Sequence, residues 1–140
     1  MKNRIEELLL TPYWIIDILP KQVPRDAPGQ YFSIEQYYQT EPQRSAIKQK
    51  HIHTILKLNC YRALSLGEET EVNPSPEEIA AKMLRQYVCI LVDDSMIVSE
   101  PDSTYMTLYH PDEELLSLVN TIAAGEGLFV WQPKKAEKQS

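Results

Sequence analysis

Ser75-Pro76-Glu77-Glu78 opens an amphipathic stretch that runs straight into Tyr87-Val88-Cys89-Ile90-Leu91-Val92, and no other feature narrows the fold as much. Ser75 is a helix N-cap, Pro76 sits at the first helical position, and Glu78 lies three residues after the cap, which makes a full capping box. Ile79, Ala80, Met83, Leu84 and Tyr87 then recur at helical spacing as a buried stripe. The apolar, partly β-branched run that follows is that of a central strand, covered on both faces. A helix that feeds such a strand requires a sheet with helices packed on it.

A second unit of this kind lies near the C-terminus. Asp112-Glu113-Glu114 supply first-turn acids, and Leu115, Leu118, Val119, Ile122 and Ala123 repeat at helical spacing. Gly125 is the expected left-handed terminator, and Leu128-Phe129-Val130-Trp131 reads as a strand stopped by Pro133. Between the two units, Met96-Ile97-Val98 and Tyr105-Met106-Thr107-Leu108-Tyr109 read as strands joined as a hairpin across Glu100-Pro101-Asp102-Ser103.

The first half is less regular. Ile5, Leu8 and Leu9 give a short opening helix, and Tyr13 to Leu19 a strand that stops at Pro20. An irregular loop with three prolines runs from Pro20 to Gly29. Ser33-Ile34-Glu35-Gln36 is another capping box, with Phe32 and Tyr37 as a hydrophobic staple. From Pro42 to Leu58 the periodicities conflict: Ile47, His51, Ile55 and Leu58 fit a helix, whereas Thr54, Leu56, Leu58 and Cys60 alternate as in a strand. The expectation is a helix to about Lys50 and a strand from about His53 to Leu64. The fold class is α/β or α+β, a single domain over residues 1–133 with a mixed or antiparallel five- to six-stranded sheet, followed by a polar tail over 134–140.

Composition fits this reading and limits function. A chain of 140 residues, 43% hydrophobic and 24% charged, is long enough to bury one core without staples. No apolar run approaches the roughly 20 residues of a membrane span, and Leu8-Leu9-Leu10 is broken at once by Thr11-Pro12, so neither a membrane anchor nor a signal peptide is expected. Cys60 and Cys89 stand in apolar surroundings outside any CxxC pair and read as buried free thiols of a cytoplasmic protein. Net charge is −6. Residues 1–66 carry nine Lys/Arg and six Asp/Glu, and residues 67–140 five and fourteen, a polarity that suits either steering of a partner or two differently solvated faces. Total acidity argues against nucleic acid, for which Arg44, Lys48, Lys50, Lys57 and Arg62 are the only grouped contacts.

Motifs for catalysis are missing: no GxSxG, HExxH, CxxC or GxGxxG occurs, and no cofactor is indicated. His51-x-His53, with His110 or Asp93, would form a metal site of a small hydrolase if 51–53 were strand, since both imidazoles would then share one face. The plainer reading is two surface histidines. Asp93-Asp94-Ser95 follows the central strand, where open α/β sheets place functional carboxylates, but has the composition of a turn.

Aromatics concentrate in the first 40 residues: Tyr13, Trp14, Tyr31, Phe32, Tyr37 and Tyr38, beside the proline-rich loop. Core packing accounts for most of them, and any that are exposed make Lys21 to Tyr38 the contact surface of a protein partner or homo-oligomer. The binding candidates are Trp14, Tyr31, Phe32, Tyr37 and Tyr38, in a non-enzymatic interaction module. Trp14-Ile15-Ile16-Asp17-Ile18-Leu19-Pro20, Leu56 to Tyr61, Tyr105 to Tyr109 and Glu126 to Trp131 resemble a set of uncharacterised bacterial proteins from gut Firmicutes. That resemblance implies a bacterial cytoplasmic protein and carries no activity or cofactor with it.

Overall fold

In the computed structural model, residues 4–24, 26, 29–67 and 71–133 are described. The tail expected over 134–140 and parts of the two loops around residues 25–28 and 68–70 lie outside them. Five helices and six strands alternate along the chain: α1 (Arg4–Leu8), β1 (Tyr13–Asp17), α2 (Gln30–Tyr38), α3 (Gln43–Asn59), β2 (Ser65–Leu66), α4 (Pro76–Arg85), β3 (Val88–Val92), β4 (Ser95–Ser99), β5 (Tyr105–Tyr109), α5 (Glu113–Gly125) and β6 (Phe129–Trp131). All strand pairs are antiparallel, in the order β2-β3-β4-β5-β1-β6, so the fold is α+β. β2 to β5 form a meander, and β1 is inserted between β5 and β6.

The two helix-to-strand units form as their caps dictate. Ser75 Oγ accepts from the Glu78 amide at 3.1 Å, and the Asp112 carboxylate accepts from the Leu115 amide at 2.8 Å, each satisfying an orphan donor of its helix. The left-handed residue after α5 is Gly127, φ 82°, rather than Gly125, which ends the helix itself. Asp93 and Asp94 make the turn between β3 and β4, with Asp93 at φ 54°.

Between residues 53 and 59 the sequence expectation is overturned: α3 runs unbroken for 17 residues and no strand starts at His53. The helical face wins because Ile47, Ile52, Ile55 and Leu58 all reach the core, whereas a strand would leave half of them outside. α2 also begins four residues earlier than the Ser33 capping box proposes, with Gly29 at its N-cap and no side-chain cap.

One face of the sheet carries the main core. Ile16, Ile90, Ile97, Met106 and Leu108, all at 0% exposure, meet Ile52, Ile55 and Leu58 of α3, Ile79 and Met83 of α4, and Leu115 and Val119 of α5. Each of these side chains contributes about 1.5–3 kcal/mol by leaving water. On the other face, Leu8 of α1 packs with Cys89, Met96 and Val98 over β3 and β4. That short helix covers only part of the face, and the outward residues of β5, β1 and β6 face α2 and the segment from Ile18 to Pro24 across a cleft.

Candidate functional site

Strand alternation determines what this second face presents. On β1, Trp14 and Ile16 turn to the core while Tyr13, Ile15 and Asp17 face outward; on β5, Met106 and Leu108 turn inward while Tyr105, Thr107 and Tyr109 face outward. Register then lines up Tyr13 with Tyr109, Ile15 with Thr107 and Trp131, and Asp17 with Tyr105. Over this floor lie Tyr31, Phe32, Glu35 and Tyr38 of α2 and the segment from Ile18 to Pro24, and together they enclose a cleft of about 860 Å³. That volume lies within the range of specific ligand sites.

Side chains that would be expected in a core are instead wet. Phe32 is 63% exposed, Tyr105 46%, Tyr13 41% and Tyr31 39%. The expectation that core packing absorbs most of the N-terminal aromatics is therefore corrected for Tyr13, Tyr31, Phe32 and Tyr37. Of the five binding candidates, Tyr31, Phe32 and Tyr38 line the cleft; Trp14 packs on the main core, and Tyr37 lies outside the cleft, in edge contact with Tyr38 at 5.2 Å between ring centres. Tyr13 and Tyr109 hold each other at 5.5 Å, tilted by 42°.

At the end of the floor sits Asp17, 7% exposed. Burial pushes its carboxyl pKa up; the Ile18 and Leu19 amides and the Trp131 indole oppose that shift by favouring the charged form. Ile18 N donates to Asp17 Oδ1 at 2.7 Å. The indole N–H acts on Asp17 without completing a hydrogen bond, since Trp131 Nε1 is buried with no partner among the described residues. Among the described residues, Glu35 and Glu100 add two further carboxylates to the lining, against one base, Lys21. Their field is felt by the rings: burial, then Glu35 and Asp17, raise the Tyr31 hydroxyl pKa, and burial, then Glu100 and Asp17, raise that of Tyr105. These hydroxyls stay protonated as donors.

The metal candidates do not converge. His51 is 0% exposed and points inward from α3, not a surface histidine as the sequence suggests; its Nδ1 lies 3.3 Å from Lys48 Nζ. His53, two residues on, faces Glu126 at 3.5 Å, His110 Nδ1 lies 3.2 Å from the Asp94 carbonyl, and Asp93 accepts from Arg62 at 2.7 Å. Among the described residues, no three His, Cys, Asp or Glu side chains gather as metal ligands would.

Lys48, 3% exposed, donates to Ser99 Oγ at 3.2 Å and to the Glu100 carbonyl at 2.8 Å, which ties α3 to the end of β4. A serine beside a lysine is a pairing used in nucleophilic catalysis, but Ser99 is fully buried and no substrate reaches it. The other basic candidates are equally engaged. Arg44 pairs with Asp102, Lys50 donates to the Glu126 carbonyl, Lys57 pairs with Glu126, and Arg62 with Asp93, Asp112 and Glu114. The charge polarity of the two halves is thus partly neutralised within the fold. Cys60 is exposed rather than buried, and Cys89 is buried as expected.

The sequence reading missed Asp17, Glu35, Glu100, Tyr105, Tyr109 and Trp131 as parts of this site. A signal was available in the Tyr-x-Thr-x-Tyr alternation of residues 105–109, which places two tyrosines opposite the core face. No helix of the described residues is long and apolar enough to cross a membrane. Comparison with protein family models, curated proteins and solved structures finds no match.

Proposed function

We propose that this chain is a non-catalytic recognition module that takes a segment of a protein partner into the aromatic cleft. The observation that carries the reading is the exposure of Tyr13 and Tyr105 of the sheet and of Tyr31 and Phe32 of α2 around one cleft, while the opposite face of the sheet is packed. Leaving such rings in water forgoes burial free energy, and rigid rings with a polar tip are the residues that dominate protein recognition surfaces. A cytoplasmic setting fits the two free thiols.

Selection of a random peptide library displayed on phage against the folded protein tests this. Peptides are expected whose affinity falls tenfold or more in Phe32→Ala or Tyr105→Ala, the usual loss at an aromatic hot spot, while circular dichroism shows both variants folded. Enriched peptides that bind both variants as well as the parent protein, or the absence of any enriched peptide, would refute the reading.

A further inference from the structure

The cleft also carries information about the chemistry of its occupant. Its described lining residues include three carboxylates, Asp17, Glu35 and Glu100, and a single cation, Lys21. The acids and the rings are interleaved rather than segregated: Asp17 lies opposite Tyr105 in the strand register, and Glu35 sits on the same helix as Tyr31 and Phe32. Ring faces carry negative quadrupoles that attract cations, and the attraction grows where water is partly excluded. An anionic ligand would meet three like charges here, and an uncharged apolar one would desolvate the carboxylates without bringing them a counter-charge.

Among organic cations, a guanidinium matches this arrangement better than an ammonium. It is planar and weakly hydrated, so it lies flat on a tyrosine or phenylalanine ring while its edge donates to a neighbouring carboxylate. Rings and acids alternating over one surface offer both contacts at once.

Resting on the reading of the cleft as a peptide site, we propose that the partner segment is basic and that an arginine side chain enters the cleft, stacked on its rings and paired with its carboxylates. The geometry assigns Glu35 and Glu100 as the accessible half of the charge pairing and Asp17 as the buried half.

The test uses an acetylated, amidated peptide of alternating glycine and arginine, together with the same peptide carrying citrulline, the neutral isostere, in place of arginine. Binding is followed through amide and indole resonances of the folded protein. The arginine peptide is expected to shift Gly29, Thr107 and the Trp131 indole, and to bind at least tenfold more tightly than the citrulline peptide. Glu35→Gln combined with Glu100→Gln should weaken the arginine peptide about tenfold and leave the citrulline peptide unchanged. Lys21→Glu should strengthen the arginine peptide, a gain that no loss of structure would produce. Equal binding of both peptides at the cleft would overturn the arginine inference and leave the recognition reading standing. Shifts confined to the acidic surface around α5, or no shifts while the phage selection yields cleft-dependent peptides free of arginine, would overturn it as well. Failure of the selection itself removes the recognition reading.

Discussion

Replacing Lys48 by Met tests the structural role assigned to a deeply buried lysine of α3. Burial pushes the Lys48 ammonium down from 10.5 to about 8, against the pull of Asp102 and Glu100. At about 1.4 kcal/mol per pKa unit, that difference means that charging the buried amine costs the folded state about 3 kcal/mol more than it costs the unfolded chain. The sign follows from proton binding. Between pH 8 and 10.5 the unfolded chain holds a proton on Lys48 that the folded protein has released, so this group's contribution to stability rises with pH across that window and is at its lowest below pH 8. From pH 7 to pH 10 the two values give a gain of roughly 2–3 kcal/mol in the wild type that Lys48→Met lacks.

Lost hydrogen bonds to Ser99 and Glu100 add a cost to the variant, but that cost does not vary with pH over this range. The tyrosines whose hydroxyls are raised, Tyr87 to about 12 among them, titrate alike in both proteins and cancel in the difference. Urea unfolding of both, followed by circular dichroism at pH 7, 8, 9 and 10, yields the stability difference at each pH. Wild type should gain roughly 2–3 kcal/mol on the variant from the lowest pH to the highest. A difference that is flat with pH, or that moves the other way, refutes the claim that a buried amine ties α3 to β4.

Two further outcomes follow from the same packing. Burial first, and then the Lys48 charge, push the His51 imidazole down from 6.5 to about 3, so the unfolded chain takes up a proton below pH 6.5 that the folded protein refuses, and stability is lost as pH falls from 6.5 toward 3. Between pH 7 and pH 4 the wild type should lose about 3 kcal/mol that His51→Gln keeps, as read from urea unfolding at the two pH values. A colorimetric thiol reagent should modify Cys60 in the folded protein and reach Cys89 only after unfolding, because Cys60 is exposed while burial shields the Cys89 thiol and raises its pKa; two thiols reacting at one rate would contradict the burial of β3.

The parts of the fold that were legible in the sequence are those in which a local signal and a tertiary one agree. α4 has its Ser75 cap, a proline at the first position and an apolar stripe, and β3 follows it as an unbroken apolar run; every cue points the same way. α3 shows the opposite case. Thr54, Leu56, Leu58 and Cys60 alternate as a strand would, yet Leu56 and Cys60 turn out to lie on the half-buried and exposed side of a helix whose other side is core. Only the presence of a packed sheet beneath residues 47, 52, 55 and 58 decides between the two periods, and that sheet is assembled from strands distant in sequence. The same gap hid the burial of Lys48 and His51, polar residues one helical turn apart, since Lys48 finds its partners only once Ser99 at the end of β4 and Glu100 just after it arrive from across the fold.

For the cleft, the sequence could show ingredients but not assembly. Aromatics before residue 40 were visible as a cluster, and the choice between core and surface turned on what already fills the core. α3, α4 and α5 supply enough aliphatic side chains to cover one face of the sheet completely, so the tyrosines of β1 and β5 have no core left to enter and stand on the opposite face. α1, five residues long, reaches only the β3 and β4 end of that face. The remaining span over β5, β1 and β6 is roofed by α2 and the proline-bearing segment before it, which stand off far enough to leave a cleft instead of closing a second core. β1 lies between strands from the far end of the chain, and this places Asp17 beside Tyr105 and Phe129, some ninety to over one hundred residues away in sequence. A carboxylate, three strands and a separate helix meet at one surface because of the strand order, and no local pattern encodes that order.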